Sequence, residues 1–126
     1  MKIDNVYKVK SLDRLDLAEW QIKQNKIDTL GSTLYFALFN FMQAILKEAP
    51  EGKWKHIGIN KMFSKFCIEN NCMDRLNLRK IYNIYTDLYI LRIKADYTNE
   101  KLTKKEKLEL LAIFEFISEV IRKWQQ

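Results

Sequence analysis

The sequence predicts an all-α fold, an up-and-down bundle of four to five helices forming one domain over residues 1–126, on three observations. Apolar residues recur at three- and four-residue steps through five separate segments. Only 3 Gly and 1 Pro punctuate 126 residues, too few for a β-sandwich or barrel, which needs a turn about every eight to twelve residues. Hydrophobic residues make up 48% and charged residues 30%, which gives enough apolar surface for one packed core and excludes a disordered tail.

The first helix is expected from about Val9 to Asn25, with Leu12, Leu15, Ala18 or Glu19, and Ile22 inward and Asp13, Asp16, Lys23 and Gln24 outward. The second begins near Asp28, a candidate N-cap, and runs to Glu48, where Ala49-Pro50-Glu51-Gly52 stops it. Its apolar residues cover nearly the whole circumference, so neighbouring helices, and a second subunit, are expected to cover it. The third, Lys55 to Asn70, puts Ile59, Met62, Phe63, Phe66 and Cys67 on one stripe. The fourth, Asp74 to Ala95, carries Leu78, Ile81, Tyr82, Tyr85, Leu88 and Tyr89, and one further turn brings its stripe to Arg92. The fifth opens on Thr103-Lys104-Lys105-Glu106, an S/T-x-x-E capping box, and continues through Leu110, Ile113, Phe114, Ile117, Val120, Ile121 and Trp124.

Composition also limits chemistry. Cys67 and Cys72 with a single His cannot supply the four ligands of a zinc site, so no metal is expected. Both cysteines read as reduced, Cys67 in the core and Cys72 near a helix end, with their side chains pointing apart. No GxxxxGK[ST], GxGxxG or HExxH occurs, and no cofactor is implied. The N-terminal residues lack an apolar run, so a cytoplasmic location is expected. Leu30 to Leu46 is too short and too interrupted by Gly31, Ser32, Thr33, Asn40 and Gln43 to span a bilayer, and it reads as a buried helix. The net charge of +6 permits a polyanionic partner. Its excess is uneven: residues 74–107 hold 9 basic and 5 acidic residues, the first thirty 6 and 5.

Arg92 stands out because a guanidinium occupies a position where helical periodicity expects a core residue. Asp96 follows one turn later, near a helix C-terminus, where a carboxylate is disfavoured unless a cation is near. Two readings stand side by side: a structural Arg92–Asp96 pair bracing the turn into the fifth helix, or an Arg presented to phosphate with Asp96 orienting it. His56, the one imidazole, lies among Lys53, Trp54 and Lys55 in a setting that reads as exposed and basic. The aromatics Tyr82, Tyr85, Tyr89, Phe36, Phe39 and Phe41 read as core or dimer-interface residues rather than base-stacking platforms. Lys101, Lys104, Lys105 and Lys107 form a basic helix entrance.

The order of Tyr35-Phe36-Ala37-Leu38-Phe39, then Lys55-His56-Ile57-Gly58, then Arg92-Ile93-Lys94-Ala95-Asp96-Tyr97 resembles the HEPN superfamily, specifically its small stand-alone bacterial and archaeal members with an R-x-x-A-D-Y motif. The resemblance covers about Asp28 to Trp124. It implies a helical bundle that pairs into a homodimer, association with a minimal nucleotidyltransferase, and a place in toxin–antitoxin or other defence systems. Several branches are metal-independent endoribonucleases, whose motif is an Arg and a following His with about four to six residues between them. Here those places hold Tyr97, Thr98 and Asn99, and Ile93 replaces the polar residue often found after the Arg.

What the resemblance implies for this chain is therefore a module that binds RNA, nucleotide or a partner nucleotidyltransferase, without catalysis or with weak activity. Its candidate binding residues are Arg92, Asp96, Tyr97, Lys55 and His56. The alternatives are an endoribonuclease using Arg92 with His56 or Tyr97, and a purely structural interaction bundle. No membrane partner is expected.

Overall fold

Asp4 sets the start of the first helix: its carboxylate accepts the backbone N–H groups of Val6 and Tyr7 at 2.9 and 3.2 Å. Helix α1 therefore spans Asn5–Lys23, beginning upstream of the Val9 start that periodicity suggests. The computed structural model describes residues 4–49 and 52–124. After the 3-10 turn Ile27–Thr29 come α2 (Leu30–Leu46), α3 (His56–Asn70), α4 (Arg75–Tyr97) and α5 (Lys104–Lys123). The described residues are helical and contain no strand.

Helix α2 is the axis of the fold. Of its 17 residues, 13 are buried, and α1, α3, α4 and α5 all pack against it. The chain's own helices thus cover the all-round apolar surface, and that surface no longer calls for a second subunit. By length and composition Ile27–Leu46 would suffice to cross a membrane, but 67% of its most apolar window lies inside the bundle.

The buried face of α1 keeps Leu15 and Ala18 of the expected stripe, with Leu12 and Ile22 partly buried against the core, and adds Ser11 and Gln21. Small side chains at Ser11, Ala18, Ala37 and Ala44 let α1 and α2 approach. Two of the buried polar groups there are paired: Ser11 Oγ donates to the Ala37 carbonyl at 2.7 Å, and Gln21 Nε2 to Thr29 Oγ1 at 2.8 Å, while Gln21 Oε1 is buried without a hydrogen-bond partner.

Asp28 does not cap α2. It lies within the 3-10 turn, exposed, 3.7 Å from the Lys107 ammonium. At the other end α2 stops before Glu48, because Lys47 takes a φ of 62° while its N–H returns to the Gln43 carbonyl. Pro50 and Glu51, expected to end this helix, lie outside the described residues.

In α3 the buried set is Ile59, Asn60, Phe63 and Cys67. Met62 is displaced from the predicted stripe by Asn60, whose amide donates to the Tyr82 carbonyl of α4 at 3.1 Å. In α4, Tyr82 is 43% exposed, while Ile84 and Leu91 take buried places beside Leu78, Ile81, Tyr85 and Leu88.

The cysteines also depart from expectation. Asn71 adopts the left-handed conformation and turns the chain back, so that the Cys72 N–H reaches the Cys67 carbonyl at 3.1 Å. The two thiols are neighbours rather than pointing apart, and burial, reinforced by Cys72, pushes the Cys67 thiol up to about 12. The predicted capping box is present: Glu106 N–H donates to Thr103 Oγ1 at 3.1 Å and Thr103 N–H to Glu106 Oε1 at 2.8 Å. Trp124 follows α5 and packs edge-on against Phe41.

Candidate functional site

His56 opens α3, and its ring folds back onto the middle of α2. It is half-buried rather than a freely exposed surface imidazole, with ring centroids 4.8 Å from Phe39, 5.5 Å from Tyr35 and 6.3 Å from Phe36. Its Nδ1 is hydrogen-bonded to the Tyr35 hydroxyl. Tyr35 also meets the Tyr85 hydroxyl at 2.9 Å, and Tyr85 donates to the His56 backbone carbonyl at 2.6 Å. Burial lowers the His56 pKa from its ordinary 6.5, and the positive charge of Arg92 lowers it further. Burial raises both tyrosines, so the phenols are neutral at physiological pH.

Arg92 reaches the same cluster from α4. Its guanidinium carbon is 5.0 Å from the Phe36 ring centroid, 5.3 Å from Tyr35 and 5.8 Å from Tyr97. Aromatic faces attract a cation and shield it from water. The side chain is only 15% exposed, and its buried Nε–H has no hydrogen-bond partner. Asp96 Oδ2 stands 3.8 Å from that Nε, beyond hydrogen-bond range, and the Tyr97 hydroxyl is 3.5 Å from a terminal guanidinium nitrogen. Arg92 is thus held by rings, with its donors poorly used by Asp96 and Tyr97.

The bracing role considered for Arg92 and Asp96 belongs to Lys94. Its ammonium is 2.7 Å from Glu106, the capping residue of α5, and 4.0 Å from Glu100. The hydrogen bond from Lys94 and the Thr103 N–H hold the Glu106 carboxyl below its usual range.

Of the sequence-predicted residues, His56 and Arg92 gather on Tyr35 and Phe36, Asp96 and Tyr97 stand beside Arg92, and Lys55 holds the exposed position just before His56. Sequence reasoning missed Arg14. From α1, its guanidinium carbon lies 5.1 Å from the same Phe36 ring that Arg92 contacts. Lys10, Asp13, Arg14, Phe36, Phe39 and His56 are among the residues that line a groove of about 680 Å³, whereas Arg92 meets Phe36 without lining it. Arg14 comes three residues after buried Ser11 and four before buried Ala18, on the α1 face that meets α2, but like Lys10 it is exposed and falls outside the leucine stripe that periodicity picks out. Arg14 and a neutral imidazole in the groove, with Arg92 on the same Phe36 ring, give the cluster the donors and the proton acceptor that an anionic ligand with a transferable proton requires.

No family profile matches this chain, and no solved structure matches it. Two proteins of Methanocaldococcus jannaschii are similar to it. One, named "Putative toxin MJ0605", is 32% identical over 89 residues, which is 71% of this chain and 63% of that protein. The other, named "Putative toxin MJ0142", is 31% identical over 84 residues, 67% of this chain and 54% of that protein. The chain spans between about half and two-thirds of the length of these relatives.

Proposed function

We propose that this chain is a HEPN-like toxin module of a toxin–antitoxin or related defence system that binds RNA or nucleotide phosphate through Arg92, His56 and their neighbours. The observation that carries this reading is Arg92: a nearly buried guanidinium, fixed by three aromatic rings, with an unpartnered Nε–H. Arg14 adds a second cation over the shared Phe36 ring. The toxin names of the two archaeal relatives support the same class of role. A homodimer and a small nucleotidyltransferase partner belong to this proposal, on the HEPN resemblance.

Binding is tested with fluorescently labelled single-stranded RNA and nucleotides, comparing wild type with Arg92→Ala. Measurable affinity that falls in the variant supports the reading; no affinity in the wild type, with partner recognition unchanged in the variant, overturns it. Light scattering at micromolar concentration tests the dimer.

A second reading, a metal-independent endoribonuclease, is favoured by the placement of His56 beside Arg92. In it the imidazole takes the proton of a ribose 2′-hydroxyl and the 2′-oxygen attacks phosphorus. The 5′-oxygen leaves, takes up a proton from water, and a 2′,3′-cyclic phosphate remains; Arg92 stabilises the charge on phosphate. RNA cleavage in EDTA by the wild type, lost in both Arg92→Ala and His56→Ala, is the expected result, and cleavage that survives both changes points to a contaminant. The purely structural reading is weakened because Lys94, rather than Arg92, ties α4 to α5.

A further inference from the structure

Three side chains close a hydrogen-bonded ring beside the groove, and counting protons gives that ring a direction. The His56 carbonyl oxygen can only accept, so the Tyr85 hydroxyl places its single proton there, at 2.6 Å. The 2.9 Å contact between Tyr35 and Tyr85 then has one available donor, the Tyr35 hydroxyl. With both phenolic protons committed, the Tyr35 oxygen offers His56 only lone pairs, and Nδ1 must carry the hydrogen that joins them. Ionising a tyrosine would break the count, but both phenols are buried, and that burial disfavours phenolate more than the nearby Arg92 charge favours it.

We infer that Tyr35 and Tyr85 are positioning residues that fix the His56 imidazole as its Nδ1–H tautomer, leaving Nε2 as the proton-accepting atom on the groove side. Nε2 lies across the ring from the Tyr35 contact, His56 lines the groove, and among the described residues no hydrogen bond engages this nitrogen. A histidine side chain free in water favours the opposite, Nε2–H form, so the two tyrosines act against the default. The direction also survives protonation, because imidazolium still donates from Nδ1. A proton therefore arrives and departs at Nε2 alone, with no rearrangement of the buried hydroxyls. The group that would give up that proton is a hydroxyl next to a phosphodiester, and for this identification alone the inference rests on the endoribonuclease reading.

His56 is the only histidine, so nitrogen-15 NMR of the untagged protein yields one imidazole pattern. At neutral pH the unprotonated, downfield nitrogen is expected to be the one coupled to both carbon-bound ring protons, which identifies it as Nε2. In Tyr85→Phe the Tyr35 proton loses its acceptor and can turn to Nδ1, so the pattern is expected to move toward Nε2–H. Tyr35→Phe removes the acceptor for Nδ1–H and is expected to move it the same way. A wild-type spectrum with Nδ1 unprotonated overturns the inference, as does an unchanged Nδ1–H pattern in both variants. Should a variant fail to fold, the wild-type spectrum decides alone. Because the readout needs no ligand, absence of RNA binding alongside an Nδ1–H spectrum fails the functional reading and supports this one.

Discussion

The Lys94 ammonium stands 2.7 Å from the Glu106 carboxylate, and the same carboxylate oxygen accepts the Thr103 N–H at 2.8 Å. One oxygen thus joins the end of α4 to the capping box of α5. Arg92 and Asp96, 3.8 Å apart, sit one turn from each other on a single helix and make no such bridge. Lys94→Ala is therefore expected to cost about 1 kcal/mol and lower Tm by a few degrees. Asp96→Ala is expected to stay within about 0.5 kcal/mol. Thermal melts of the two variants check this, and a larger loss from Asp96→Ala would return the bracing role to the Arg92–Asp96 pair.

Arg14 and Arg92 both approach Phe36, so each is expected to contribute to holding one anion. Losing either guanidinium should weaken single-stranded RNA binding about tenfold, the weight of one charge-assisted contact. It should also reduce the slope of log affinity against log salt by about 0.7. Arg92→Lys should recover little, because an ammonium cannot reproduce a planar group seated over three rings. Anisotropy titrations at several salt concentrations measure all three. A full-strength Arg14→Ala would remove the groove from the binding surface and leave Arg92 alone.

Burial separates the two neighbouring thiols. Cys67 is fully buried and its thiol is pushed up to about 12, whereas Cys72 lies at the half-buried turn after α3. At mildly alkaline pH a small alkylating agent is expected to label Cys72 and spare Cys67, since thiolate is the reacting form. Peptide mass spectrometry of native protein reads this directly. Equal labelling of both would mean that the C-terminal end of α3 opens readily.

The helices were largely legible because each leaves a strong local mark. The Thr103–Glu106 box and the apolar stripe of α5 are both patterns within one element. What was missed depends on two elements at once. Ser11 and Gln21 are buried because an α2 carbonyl and the Thr29 hydroxyl receive them, and no periodicity in α1 reveals that. Arg92 was visible as a charge on an apolar stripe. Arg14 was not, since it stands beside the leucine stripe rather than on it, and the Ser11–Ala18 seam that turns it toward Phe36 depends on α2. His56 was misread as exposed because Lys53 and Lys55 surround it in sequence, while in space its neighbours are Tyr35, Phe36 and Phe39 of α2.

The depressed pKa of His56 makes stability depend on pH in one direction. Its ordinary value is 6.5, and in the folded chain burial and then the Arg92 charge hold it lower. Between those two values the unfolded chain binds a proton that the folded chain does not, so stability rises with pH across that window. The contribution is fully present above about pH 6.5 and is lost as pH falls through the folded value. His56→Gln removes this titration, so its Tm should fall less than that of the wild type between about pH 7.5 and about pH 5.5. Arg92→Ala should narrow the window without closing it, because burial is the larger cause and remains. Parallel slopes for wild type and His56→Gln would place the imidazole in water and remove it from the cluster. A wild-type slope steeper than that of His56→Gln but unchanged by Arg92→Ala would leave burial as the whole cause, with Arg92 too far from the ring to act on it.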